Sequence, residues 1–230
     1  MTNFVCIPGA WHGGWSWHPV GHRLRAAGHH VTALTMPGLA LGDDPSELGL
    51  SDAVGFVAHE IERRDLTDVV LVSHSWGGIP ATVAAPRLAG RVRRLAYVSA
   101  FVPLDGQSMA DAMGEMSGYL KAAIDASPDR TIGLTFDQFQ QGLMPDQPLE
   151  VQRIVFDQLV PQPGGYMLDA PRLAAHDVPA AYILAEKDQA LAAPGPELAA
   201  RVGAEPIMVP GSHEAILTHP DDIAAALLAL

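Results

Sequence analysis

Cysteine is almost missing from this chain of 230 residues: Cys6 stands alone, inside the apolar run Phe4-Val5-Cys6-Ile7. No internal disulfide can form, which suits a reducing compartment, and Cys6 reads as a buried strand thiol rather than a reactive one. Long apolar runs are missing too. No window reaches the roughly 18 apolar residues needed to span a bilayer, and no charged N-terminal stretch leads into an apolar one, so no signal peptide is expected. Basic side chains are few, 14 Lys and Arg against 26 Asp and Glu, for a formal net charge of −12. Such an acidic surface repels the nucleic-acid backbone and anionic lipid, so neither nucleic acid nor membrane is expected as a partner. No Cys/His or carboxylate set has metal-ligand spacing and no phosphate-cradling P-loop occurs, so no metal and no cofactor is expected. The expectation is a soluble, cytoplasmic protein acting on a small molecule, with a homodimer left open.

What is present describes a folded domain. The composition is 48% hydrophobic and 17% charged, with 22 Gly and 19 Pro, enough apolar material for one domain with a full core and many turns. Short apolar runs alternate with stretches of helical periodicity, the pattern of an α/β protein with a mostly parallel sheet and crossover helices. About six strands are expected: Phe4 to Ile7, Val31 to Thr35, Val69 to Val72, Leu95 to Phe101, Ala181 to Ala185 and Pro206 to Val209. The Val69-Val70-Leu71-Val72 run is the most apolar and β-branched and reads as the central strand. Helices are expected from about Trp17 to Ala27, from a cap at Ser51 to about Arg64, after Gly78 to about Leu88, and from Asp221 to Leu230.

Between Leu104 and Pro179 the rhythm breaks. Residues 1–104 and 180–230 read as one core, and 105–179 as an inserted cap. The insert holds five of the eight methionines: Met109, Met113, Met116, Met144 and Met167. Met109, Met113 and Met116 are spaced i, i+4, i+7, which puts them on one helical face. They serve either as ordinary core or as the lining of an apolar pocket, for which a flexible, polarisable side chain is suited.

The central strand runs into Ser73-His74-Ser75-Trp76-Gly77-Gly78 and then a helix. A serine on a sharp strand-to-helix turn needs small neighbours two positions away on either side. Gly77 supplies one, and Ser73 takes the place of the more usual glycine at the other. The turn also sets Ser75 at a helix start, where free N–H groups favour developing negative charge. In acyl transfer the N–H of Trp76 is the expected first oxyanion donor, and the loop Pro8-Gly9-Ala10-Trp11-His12-Gly13-Gly14 should supply the second, from Ala10.

A serine hydroxyl needs a histidine to take its proton, and the imidazole needs a carboxylate to orient it. Where this turn occurs the chain order is serine, acid, histidine. His213 follows the last strand directly, whereas His219 precedes Pro220 at the final helix, so His213 is the expected base. Asp188 is the expected acid, with Glu186 and Asp105 as alternatives. Trp11, His12 and His74 flank the two loops and are candidates for substrate contact, together with Met109, Met113 and Met116.

Three stretches, Pro8-Gly9-Ala10-Trp11-His12-Gly13-Gly14-Trp15, His74-Ser75-Trp76-Gly77-Gly78 and Ser99-Ala100-Phe101-Val102-Pro103, resemble the plant methylesterase and hydroxynitrile lyase branch of the α/β-hydrolase superfamily and its bacterial esterases. The resemblance implies an α/β-hydrolase fold, a Ser75–Asp188–His213 triad, oxyanion donors at Ala10 and Trp76, and no cofactor. The lyase members carry a lysine directly after the catalytic histidine and a threonine in the first loop. This chain has Glu214 and Ala10 there, which removes the cationic partner of a departing cyanide. Glu214 is expected to face solvent; buried near His213, its charge would raise the imidazole pKa. The expected activity is hydrolysis of a small or medium apolar ester or lactone through an acyl-enzyme. Two rivals are non-hydrolytic biosynthetic chemistry in the same pocket and a ligand-binding receptor with a vestigial triad.

Overall fold

A computed structural model describes residues 1–230. In chain order the N-terminal part comprises β1 (Asn3–Ile7), a 3-10 turn (Gly14–Trp17), α1 (His18–Ala26), β2 (His30–Ala33), α2 (Leu50–Arg63), β3 (Val69–Ser75), α3 (Gly78–Ala84) and β4 (Val92–Ala100). A run of short elements follows: α4 (Met109–Ala112), a 3-10 turn (Gly114–Met116), α5 (Ser117–Ala126), β5 (Thr131–Ile132), α6 (Phe136–Gln138) leading into a π-turn (Phe139–Leu143), α7 (Leu149–Phe156), β6 (Gln162–Pro163) and α8 (Gly164–Leu168). The chain then returns through β7 (Ala180–Ala185), α9 (Gly195–Arg201), β8 (Pro206–Val209), α10 (Ala215–Thr218) and α11 (Pro220–Leu228).

The six expected strands form one sheet in the order β2-β1-β3-β4-β7-β8, every neighbouring pair parallel. Such a sheet is covered on both faces, so its inner strands carry apolar residues without alternation. All seven residues of β3 are buried. Successive side chains point to opposite faces, and two cores result. Val5, Ile7, Leu71, Tyr97 and Tyr182 pack with Val57 and Ile61 of α2 and Ile79 of α3. Phe4, Cys6, Val70, Val72, Val98 and Ile183 pack with Leu24 of α1 and Ile223 and Leu227 of α11 on the other face. Strand order reverses between β1 and β3, and in sheets of this kind ligands bind beyond the carboxyl ends of the strands at that point.

Three local expectations are corrected. Helix α2 is capped at Gly49 and not at Ser51: the Asp52 carboxylate reaches back to accept the Gly49 N–H at 2.8 Å, leaving Ser51 within the first turn. The nucleophile-turn residues Ser73, His74 and Ser75 belong to β3 itself. The methionine helix is broken: α4 ends at Ala112, and Gly114 has φ +59, a left-handed conformation that only glycine adopts without cost. The residues between β4 and β7 contain no parallel strand; their one ladder is the short antiparallel pair β5 and β6.

Candidate active site

Ser75 closes β3 with φ +51, a strained value for a residue bearing a Cβ. The strain is held on both sides. The Gly77 N–H donates to the His74 carbonyl at 2.8 Å, closing the turn, and the Phe101 N–H donates to the Ser75 carbonyl at 2.9 Å. The turn fits only against glycine. A Cβ at Gly77 would stand 2.5 Å from the Pro8 carbonyl oxygen, and one at Gly9 would stand 3.0 Å from the Ser75 Cβ. Ser73, in the first small position of the turn, is buried.

Beyond the carboxyl ends of β3, β7 and β8 the three expected residues meet. Ser75 Oγ lies 2.9 Å from His213 Nε2, and His213 Nδ1 lies 2.8 Å from Asp188 Oδ2. A carboxylate has no proton to give, so Nδ1 is the donor to Asp188, and Nε2 is left to accept from the serine hydroxyl. The second carboxylate oxygen, Asp188 Oδ1, accepts the Ala190 N–H at 2.9 Å. Burial pushes the His213 pKa down, but the Asp188 charge and hydrogen bond and the Glu214 charge outweigh it, and the net direction is up. For Asp188 burial pushes up, the His213 charge and hydrogen bond pull down, and the net direction is down. Both shifts favour the charged forms of the pair. Of the alternative acids, Glu186 is exposed and Asp105 accepts the Leu173 N–H at 2.8 Å.

A cavity of about 270 Å³ opens onto this group. Ser75, His213, Ala10, Trp11, Phe101 and all three of Met109, Met113 and Met116 line it. The broken helix thus still delivers its methionines to one place. Gln138 and Gln189 also face the cavity, and nothing in their sequence surroundings marked them. No lining side chain carries a formal charge apart from a protonated His213. The main-chain N–H groups of Ala10 and Trp76 have no acceptor within the protein.

The first loop is held from the far segment. Gln162, fully buried, accepts the Trp11 N–H at 2.9 Å, and the Trp11 indole N–H donates to the Ile132 carbonyl at 2.8 Å, so both members of the short ladder position Trp11. Trp76 is fully buried, stacks on Tyr166 with ring centroids 4.8 Å apart and donates its indole N–H to the Tyr166 carbonyl at 3.0 Å. Two candidates for substrate contact are corrected. His12 and His74 are 1% and 0% exposed and do not line the cavity; they pack behind Ser75 and His213, because the loop after β1 and the end of β3 direct them into the core. Glu214 is also corrected: it is fully buried, not solvent-facing.

No helix is long and apolar enough to cross a membrane. The chain is similar to a carbendazim hydrolyzing esterase of Nocardioides sp. (strain SG-4G), 41% identical over 115 residues covering 47% of this chain and 46% of that protein. It is similar to methyl jasmonate esterase 1 of Vitis vinifera, 36% identical over 107 residues covering 44% of this chain and 40% of that one. The matched stretch therefore spans less than half the length of either relative. A solved extracellular alpha/beta-hydrolase from a Paenibacillus species, described as sharing structural and functional homology with tobacco salicylic acid binding protein 2, superposes with a TM-score of 0.93 at 26% identity, over 100% of this chain and 98% of that one. With residues 4–226 also matching the family described as "Alpha/beta hydrolase family", and with relatives that carry esterase names, the chain belongs to the alpha/beta hydrolase family, in its methylesterase-like branch.

Proposed function

We propose that this protein hydrolyses carboxylic esters through an acyl-enzyme on Ser75. The observation that carries the reading is the unbroken series Ser75 Oγ–His213 Nε2 at 2.9 Å and His213 Nδ1–Asp188 Oδ2 at 2.8 Å, opening onto a cavity. Esterase names among the relatives support it.

In this reading Ser75 Oγ attacks the acyl carbon while His213 Nε2 takes its proton. The alcohol leaves with that proton as the tetrahedral intermediate collapses to the acyl-enzyme. Water then adds with His213 again as base, the acid is released and the serine proton returns. Asp188 stabilises the imidazolium present in both tetrahedral intermediates, the one before and the one after the acyl-enzyme. The N–H groups of Ala10 and Trp76, free of protein acceptors, stabilise the oxyanion. The substrate is a small or medium ester or lactone, uncharged and largely apolar. The cavity offers a charged group no counter-charge apart from a protonated His213, so burying an acid or amine there is costly. Residues 105–179 act as a cap over this cavity, since Met109, Met113, Met116, Leu120, Ile132 and Leu134 of that segment make up much of its apolar lining.

The test is turnover of p-nitrophenyl acetate and butyrate by the wild type beside Ser75→Ala. Hydrolysis by the wild type that falls about 10⁴-fold or more in the variant is expected, leaving only background. Turnover that survives the substitution would overturn the acyl-enzyme on Ser75, and no turnover by either folded protein would point instead to non-hydrolytic chemistry or ligand binding in the same pocket.

A further inference from the structure

Behind the triad lies a second polar group that the acyl-transfer steps do not use. Glu214, His12 and His74 are 0%, 1% and 0% exposed. Both Glu214 carboxylate oxygens, His12 Nε2 and His74 Nδ1 lack a hydrogen-bond partner, although buried polar atoms are rarely left so. The four orphaned atoms belong to three residues at the carboxyl ends of three different strands. His12 comes from the loop after β1, His74 from the nucleophile turn at the end of β3, and Glu214 directly follows the base.

The ring protons can be placed from the acceptors. His12 Nδ1 lies 2.7 Å from the Ala10 carbonyl oxygen, which can only accept, so Nδ1 carries a hydrogen. His74 Nε2 lies 3.0 Å from the His213 carbonyl oxygen and carries one for the same reason. A neutral His74 is then bare at Nδ1, and burial above all pushes its pKa down to about 4. A neutral His12 would be bare at Nε2, which lies 3.5 Å from Glu214 Oε1. A bare nitrogen facing an ionised carboxylate sets lone pair against lone pair in a site closed to bulk solvent, an arrangement that costs free energy on both sides. One additional proton in the contact, on either partner, turns that repulsion into attraction.

We propose that Glu214 is a positioning residue which holds one proton jointly with His12 and thereby ties the oxyanion loop, the nucleophile turn and the base loop into one unit. His12 passes the constraint to the Ala10 carbonyl, and so to the loop whose Ala10 N–H faces the oxyanion. His74 passes it to the main chain of His213. The titratable groups around this unit are His12, His74 and His213, with Asp188 facing His213 from the loop after β7 and Asp146 reaching the neighbouring Ser212 hydroxyl at 2.8 Å. No lysine or arginine pairs with Glu214; its one ion-pair partner is His12. A metal ion is not the occupant required. Although His74, His213 and Glu214 come within 4.8 Å of one another, His213 already spends both ring nitrogens on Asp188 and Ser75.

The kinetic arm of the test rests on the hydrolase reading above, and the spectroscopic arm does not. With ¹⁵N-histidine labelling of the full chain, His12 Nε2 should resonate away from the limit of a bare nitrogen in the wild type and move to that limit in Glu214→Leu. In ester turnover Glu214→Leu should lose about tenfold or more in kcat, in the range for residues that orient a catalytic group from behind, with KM changed less. Glu214→Gln, whose amide can donate to a neutral His12, should recover part of that loss. The double variant His12→Phe/Glu214→Leu should be no worse than either single variant, because each single change orphans the other partner. A His12 Nε2 at the bare limit in the wild type overturns the shared proton, whether or not any ester is cleaved. A folded Glu214→Leu with wild-type kcat, or a double variant whose losses simply add, overturns the positioning role.

Discussion

Gly78 lies flat against the main chain of Phe101: a Cβ at position 78 would stand 2.0 Å from the Phe101 carbonyl oxygen. The first turn of α3 thereby packs on the end of β4. The Phe101 N–H is the group that holds the Ser75 carbonyl, so helix and Ser75 turn share one anchor directly after β4. Backbone cannot move aside as a flexible side chain can. Gly78→Ala should therefore destabilise by at least about 2 kcal/mol, in the range for overpacking a closed site. Gly55, in α2 with nothing within 4 Å of its absent Cβ, is the control, and Gly55→Ala should stabilise by about 0.5–1 kcal/mol. Urea denaturation of both variants reads the two signs; equal effects would dissolve the distinction.

Activity should fall as pH drops through the pKa of His213, since only the neutral imidazole can take the serine proton. The Asp188 charge and hydrogen bond, working against burial, place that pKa above the ordinary imidazole value, so the acid limb of kcat/KM should have its midpoint above about 6.5. Asp188→Asn removes the charge and mis-sets the ring tautomer. It should move the acid limb downward and reduce kcat by about 10⁴-fold. An unmoved limb in that variant would detach Asp188 from the base.

The cavity lining has no formal charge other than a protonated His213. Among p-nitrophenyl esters of equal chain length, a neutral acyl group should exceed a carboxylate-bearing one in kcat/KM by about tenfold or more, the penalty of desolvating an unpaired charge. Steady-state kinetics with butyrate and hemisuccinate esters compares them directly, and equal values would place the acyl chain outside the methionine-lined space.

Cys6 is fully buried, and burial pushes its thiol pKa up. Only the thiolate reacts, so Ellman's reagent should find no fast-reacting thiol in the folded protein. It should find one per chain in denaturant, because Cys6 is the only cysteine. Rapid labelling under native conditions would show that β1 opens.

Much of the architecture was legible in advance because its signals are local. The apolar β-branched run at 69–72 could only be an inner strand, and the small residues after it could only be a tight turn. The chain order of serine, acid and histidine then narrowed the site to Ser75, Asp188 and His213. Elements that depend on neighbours were less legible. Ser51 has the chemistry of a cap, but Asp52 reached Gly49 first. The i, i+4, i+7 methionines suggested one helix, but Gly114 turned it.

By itself the sequence determined the parallel sheet, the serine turn and the identity of the three residues that meet there. These follow from periodicity, chain order and the size of side chains near a strained backbone. Only the tertiary structure decided where the second layer of polar groups goes. His12, His74 and Glu214 each look like loop residues free to face solvent or substrate. Their burial behind His213 is set by how the ends of three strands and the loops after them converge, a relation among residues some two hundred positions apart that no local pattern carries. The same convergence placed Gln162 beneath Trp11 and gathered three methionines from a broken helix into one cavity wall. Residue type sets what a side chain can do, and packing sets what it faces.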